Sequence, residues 1–402
     1  MTCVPCAAVR APGLLALLAL VALAAPGCRQ EQPETLSRLA TQEWTARRYD
    51  QAEAALARLA TLRKLTLPER LLRAQVARDQ GRLDEAITFL GDPARDAAPA
   101  ETAVLLATRG TLELARHRLR DAEAALERAA ALDPQLAEAH RELIHLRGLQ
   151  GRTRELEAPF RALAATPSSG LSFSDLYLWT LGRFENIGPP ELADTLRLAL
   201  NADPADIPSR LALADNLRRL GRLDEAGQVV ASADDPAATA FAARLALDQG
   251  DPDRALTLLG PERASPSEPA DFSQARLRGR IALIRGDAGT ALRNLRSAVA
   301  RQPDDREALR AYSQALHLAG TAEESRTVDE RLRRLDRLEG LVQNARPSTE
   351  RDRPETLVAI AEACLAVDRT ELGKAWLRLA LARNPLAADI QKRLHQLDTP
   401  RP

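Results

Sequence analysis

The nearest approach to a metal site in this chain is a pair of histidines five residues apart, in His140-Arg-Glu-Leu-Ile-His145. A zinc-binding helix of the HExxH kind needs its histidines four apart, so that both rings face one side. Five residues turn a helix by about 140° from one ring to the other, and a regular helix cannot bring that pair to one ion. His117, His317 and His395 are scattered. No GxGxxG, GxxxxGK[ST] or GxSxG occurs, so neither a phosphate-cradling loop nor a nucleophile elbow is expected. The carboxylates, as in Asp224-Glu225 and Asp304-Asp305-Arg306, stand beside arginines and read as solvated surface pairs. The sequence predicts no catalytic residue, no metal site and no cofactor.

Cysteine chemistry points to the N-terminus. Cys3 and Cys6 form a CxxC, but they precede an uncharged stretch, residues 11–27, in which Leu14 to Ala25 are continuously apolar. A cationic start (Arg10) followed by a 7–15-residue apolar run is the pattern of a secretory signal peptide, and the run is too short for a comfortable membrane span. Residues 1–27 are therefore expected to be removed, and a start at Val9 would give a tidier signal. The run ends in Ala25-Pro26-Gly27-Cys28, which resembles the lipobox of bacterial lipoproteins. That resemblance implies acylation of Cys28 and tethering to a membrane of the cell envelope. The family usually carries Leu and a small residue where Ala25 and Pro26 stand, and plain cleavage near Ala22-Leu23-Ala24, giving a soluble secreted or periplasmic chain, is the alternative. Cys364, in the apolar stretch LVAIAEACLAV, reads as a small core residue.

Composition narrows the classes further. The 402 residues carry 56 basic and 56 acidic side chains, so the molecule has no net field to attract nucleic acid or anionic lipid. Lysine occurs only at Lys64, Lys374 and Lys392, and arginine supplies the remaining positive charge. Aromatics are 3% of the chain, while Ala and Leu dominate, which favours helices over a β-sandwich.

Beyond the signal, the chain is organised by self-similarity. GRLDEA occurs at 81–86 and again at 221–226, a separation of 140 or four units of 35, and glycines at 250, 286 and 320 follow at spacings of 29, 36 and 34. Pro134, Pro204, Pro303 and Pro385 each come after an apolar helical stretch. An apolar helix, a Gly turn, a second helix with an early Ala and then a Pro stop resemble the tetratricopeptide repeat, or TPR. The unit from Ala103 places Gly110, Ala122, Ala129 and Pro134 at the family's positions 8, 20, 27 and 32. The unit from Phe272 does the same with Gly279, Gly286, Ala291, Ala298 and Pro303. About ten degenerate units are expected over 33–398, starting near 33, 67, 103, 137, 173, 207, 236, 272, 306 and 354. The resemblance implies an all-α solenoid of helical hairpins in a right-handed superhelix. Three irregular segments break the register: 166–174, 260–271 and a charged insertion near 331–353, whose first part reads as a solvated, extended helix.

In the TPR family, positions 2, 5, 9 and 12 of each first helix line a concave groove that holds a partner segment. Carried onto this chain, they include Arg141 and His145; Leu211, Asp215 and Arg218; Arg276 and Arg280; and Arg310, Gln314 and His317. Guanidinium groups suit bidentate capture of carboxylates, so Arg276, Arg280 and Arg310 are expected to form a basic strip for an acidic segment. The resemblance implies a non-catalytic protein-binding scaffold of the bacterial envelope, with an accessory or regulatory subunit of an envelope enzyme or of a secretion or glycan-handling complex as the second class.

Overall fold

The computed structural model describes residues 32–93, 97–165, 170–185, 187–231, 235–261 and 272–399. The expected signal segment, 1–27, and Cys28 lie outside the described residues. The described residues form twenty-two α-helices and one 3-10 turn, and no strand occurs among them. None of these helices is long and apolar enough to cross a membrane.

The chain divides into two compact units at Gln80/Gly81. In the first, α1 (Pro33–Thr45), α2 (Tyr49–Leu62) and α3 (Leu67–Asp79) pack on one another around Ala40, Ala52, Leu56 and Val76. Thr66 and Glu69 form a capping box at the start of α3. Arg63 donates two hydrogen bonds of 2.7 Å to Glu69. That pairing, helped by the Thr66 amide and opposed by burial, holds the Glu69 carboxyl at about 2.

The second unit begins with α4 (Leu83–Leu90), α5 (Pro99–Ala115), α6 (Leu119–Leu132) and α7 (Ala137–Leu149). The 3-10 turn Thr153–Leu156, α8 (Glu157–Ala165), α9 (Phe173–Leu181) and α10 (Pro189–Ala202) follow. Then come α11 (Ile207–Arg219), α12 (Leu223–Ala231), α13 (Pro236–Asp248), α14 (Pro252–Leu259), α15 (Phe272–Ile284) and α16 (Ala288–Arg301). The last are α17 (Arg306–Leu318), α18 (Ala322–Asn344), α19 (Ser348–Arg351), α20 (Pro354–Leu365), α21 (Thr370–Arg383) and α22 (Ala388–Asp398). Pairs such as α5/α6, α11/α12, α15/α16 and α20/α21 are antiparallel hairpins whose helices also contact the next unit.

The two GRLDEA copies fold alike. Gly81 and Gly221 take φ of 77° and 75° at the end of a helix, Arg82 and Arg222 each pair with the glutamate three residues on, and Ala86 and Ala226 are fully buried. The hairpins close so tightly that a side chain on one helix would strike the other. A Cβ on Gly110 would lie 2.5 Å from Leu126 Cγ, and one on Gly279 would lie 2.4 Å from Leu295 Cγ. Ala122, Ala129, Ala291 and Ala298 are likewise fully buried at the family's small positions.

One expectation is corrected here. The 331–353 insertion does not begin as a solvated helix: α18 is one 23-residue helix. Val328, Leu332, Leu335, Leu338 and Val342 form a stripe at spacings of three and four and are buried against α9, α17 and α20. Within the solenoid of the second unit, α9 also packs on α18 and α21, far along the chain. At this seam Arg369 donates to the carbonyls of Trp179 (2.7 Å) and Thr180 (3.0 Å), and the Trp376 indole donates to Thr180 Oγ1 (3.1 Å). Phe173 meets Trp376 edge to face at 5.3 Å. Arg351 pairs with the buried Glu185 at 3.0 Å, and Arg183 with Glu339 at 2.9 Å. Cys364 is fully buried in the same core, and burial pushes its thiol up to about 12, so it is an inert core residue.

Close hairpin contact makes a prediction. Gly279→Ala should destabilise the chain by about 1–3 kcal/mol through overpacking against Leu295, and Ala291→Trp by at least as much. Gly227→Ala, in α12 with open space around the new Cβ, should stabilise by about 0.5–1 kcal/mol. Thermal melts of the three variants check this; equal melting temperatures for Gly279→Ala and Gly227→Ala would contradict the packing.

Candidate functional site

Inside the second unit lies a cavity of about 880 Å³. Its walls come from the 148–155 turn, the 182–188 loop after α9, the inner faces of α11 and α13, the start of α15, and the end of α18 with Arg346. Gly182 takes φ of 66° to reverse the chain there, and a Cβ on it would sit 2.5 Å from Thr153 Cγ2. The lining is mixed. Phe184, Phe241, Phe272 and Leu211 supply apolar surface, and Arg154, Arg219, Arg244, Arg276 and Arg346 alternate with Glu155, Asp215 and Asp305. Arg154 and Arg276 both lie over the Phe272 ring, at 4.9 and 5.1 Å from its centroid.

One wall is an ion-pair ladder across four consecutive first helices. Asp215 on α11 accepts from Arg218, Arg219 (2.7 Å) and Arg244 of α13 (3.4 Å). Arg218 also reaches Asp248 at 3.3 Å. Arg244 continues to Glu307 of α17 at 3.1 Å, and Glu307 also takes Arg276 (3.0 Å) and Arg280 of α15. Arg276 is 8% exposed and binds Asp305 as well, at 3.3 Å. Burial pushes the Asp215 and Glu307 carboxyls up, but the surrounding arginines outweigh it and hold both below the ordinary carboxylate range. Burial lowers the Arg244 pKa, against the pull of Glu307 and Asp215. The Nε atoms of Arg244 and Arg276 are buried without a hydrogen-bond partner.

The residues read from the repeat pattern are not one groove. Asp215, Arg218, Arg276 and Arg280 meet in the ladder, and of the whole set Leu211, Asp215 and Arg276 line the cavity. Arg141, on α7, pairs with Asp175 of α9 at 3.6 Å. His145 is exposed, its ring 5.6 Å from Phe184. Arg310 pairs with Asp336 of α18 at 3.2 Å, Gln314 is exposed, and His317 contacts Ser325 (2.8 Å) and Asp329 (3.3 Å). The expected open basic strip is therefore corrected: Arg276 and Arg280 already share Glu307, and Arg310 belongs to a separate pair. Neutralisation within the fold, with each guanidinium donating to a neighbouring helix's carboxylate, is the physical reason.

His140 is buried with Nε2 at 2.9 Å from the Pro134 carbonyl, and no group of three or more metal-ligating side chains occurs among the described residues. Arg244 was legible in principle, since it is position 9 of the unit starting at 236. So was Phe184, at position 12 of the unit starting at 173; Arg346 was not, because it stands in the 331–353 insertion outside any repeat.

Comparison with known proteins agrees with the hairpin geometry. Residues 37–101 and 276–338 match the model of the tetratricopeptide repeat. No curated protein matches the chain. Among solved structures, the Cut9–Hcn1 hetero-tetramer of APC/C is 13% identical, with 92% of this chain and 96% of that one covered and a TM-score of 0.31. The human IFIT1 dimer with PPP-AAAA is 14% identical (88% and 94% covered, TM-score 0.35), and yeast Tom70 is 10% identical (92% and 89%, TM-score 0.32). Likeness of that degree carries no functional argument. At these two stretches, where the structure shows helical hairpins, the chain carries tetratricopeptide repeats, a fold typical of non-catalytic protein-interaction scaffolds.

Proposed function

We propose that the chain is a non-catalytic interaction protein, exported and tethered by lipid at Cys28, whose second unit receives a segment of a partner protein in its interior cavity. The observation that carries the binding half is the cavity itself: about 880 Å³ with phenylalanines set among charged groups on a scaffold of repeats. Support for the tether is the apolar run ending in Ala-Pro-Gly-Cys28. A soluble or uncleaved product is the outcome expected on losing the thiol.

One experiment addresses both halves. A photo-crosslinking phenylalanine analogue at Phe241 should trap a partner protein in the membrane fraction of living cells, while the same group at Leu386, 90% exposed, should not. Adding Cys28→Ala should shift the protein, and any crosslinked product, out of that fraction. Equal trapping at Phe241 and Leu386 would sink the cavity reading, and unchanged fractionation without a labelled fatty acid on the parent would sink the tether.

The ladder acts on stability before binding. Arg276→Glu leaves Asp305 and Glu307 facing a third carboxylate in a buried wall and should cost on the order of 3 kcal/mol. Arg310→Glu, an exposed pair, should cost under about 1 kcal/mol. Asp215 and Glu307 have lowered pKa values, so their stabilisation is present above the ordinary carboxylate range and is lost as pH falls through the lowered folded values. Denaturant melts of both variants at neutral and acid pH check this. A neutral Arg276→Glu would contradict the ladder.

A further inference from the structure

We infer that Arg346 is the anchor for a carboxylate of the bound segment, an assignment that rests on the cavity reading above. The argument is a census of the guanidinium groups that line the cavity. Arg152 pairs with Glu123 and Glu155, Arg183 with Glu339, Arg219 with Asp215, Arg244 with Asp215 and Glu307, and Arg276 with Asp305 and Glu307. Arg154 is committed to the Phe272 ring. Arg346 is different. It is exposed, it sits just past the end of α18, and the one hydrogen bond of its side chain among the described residues goes to a neutral acceptor, the Glu185 carbonyl, at 2.8 Å. The Glu185 carboxylate is taken by Arg351 and Ser174. A guanidinium has five N–H donors, so Arg346 keeps free donors and an uncompensated charge at the cavity wall.

The neighbouring surface completes the recognition chemistry. Phe184, half-buried and lining the cavity, precedes the residue that Arg346 holds. A carboxylate on Arg346 would therefore sit one residue's reach from an aromatic face. An acidic peptide with an aromatic or aliphatic neighbour fits both. A nucleic acid fits poorly, because its regular phosphates would meet the carboxylates of Asp215, Asp305 and Glu155 on the other walls. Arg346 owes its position to the insertion: the buried stripe of α18 carries the helix end to the cavity wall.

The test uses the full mature chain and a dye-labelled, end-blocked hexapeptide of alternating glutamate and phenylalanine, read by fluorescence anisotropy. Controls replace glutamate by glutamine, or phenylalanine by alanine, and an oligothymidylate of the same length is run beside them. The parent should bind the Glu-Phe peptide more tightly than either control peptide or the oligothymidylate. Arg346→Gln should weaken it roughly three- to tenfold, with Arg346→Lys recovering part of the loss. Arg310→Gln should leave it unchanged, and the melting temperature of Arg346→Gln should match the parent's. If the Glu-Phe peptide binds and Phe184→Ala weakens it while Arg346→Gln does not, the anchor is wrong and the cavity reading stands. If the oligothymidylate binds more tightly and depends on Arg346, the peptide assignment is overturned. If no peptide binds, the anchor and the cavity reading both fall.

Discussion

The end of α9 is where the second unit closes, and the rest of its architecture depends on that contact. The last carbonyls of any helix lack intrahelical partners. Here those of Trp179 and Thr180 accept from Arg369, a cation placed at the negative end of the helix dipole. Trp376, fully buried, bonds Thr180 through its indole and meets Phe173 at its edge, while Phe160 stacks on Trp179 at 4.9 Å. In a chain with few aromatic residues, a concentration of them at one seam marks where burial per residue matters most. Residues about 190 apart in sequence are joined there. The cavity exists because the closure sets the 182–188 loop opposite the inner faces of α11, α13 and α15.

Arginine abundance has a different meaning in this fold from the one the family's groove positions suggest. The first helices of the α11–α17 wall supply the cations and most of the anions, and the guanidiniums are met by carboxylates of their own or a neighbouring helix, Arg219 by Asp215 of α11, and Arg244 and Arg276 by Glu307 of α17. Such pairs bring modest net stability but fix register between stacked units, since a slipped helix would leave a buried charge alone. The result is a wall whose guanidiniums are already paired, and a cavity whose selectivity falls to the few groups left over.

Nine of the ten expected repeat starts coincide with the first residue of a helix, from Pro33 to Pro354; the tenth helix begins at Pro99 rather than near 103. Turn glycines, helix-starting prolines and small residues at close contacts are local requirements, so one sequence shows them. Three turns carry no such signal because Arg47, His117 and Asp368 take φ near 60° where other units use glycine. The α9 seam is invisible in the sequence for another reason: no periodicity links Trp179 to Arg369. Arg346 reaches the cavity from the insertion that breaks the repeat, where the family pattern has no position to assign, whereas Phe184 falls at position 12 of the unit expected from 173. The placement of α18 is legible in the spacing of Val328, Leu332, Leu335, Leu338 and Val342, but the many charges between them give the helix the look of a solvated one.

Closure of the second unit is the claim on which the cavity stands, and a distance across the seam tests it most directly. Spin labels at Arg161 on α8 and Arg378 on α21, whose guanidinium reaches the Ala164 carbonyl at 3.4 Å, bracket the contact from two exposed sites. Cys364 is buried and would not take label. Double electron–electron resonance on the full mature chain should give one short, narrow distance distribution, which Arg369→Ala with Trp376→Ala broadens and lengthens. A long or broad distribution in the parent, unchanged by that double substitution, would contradict closure and return the second unit to an open spiral.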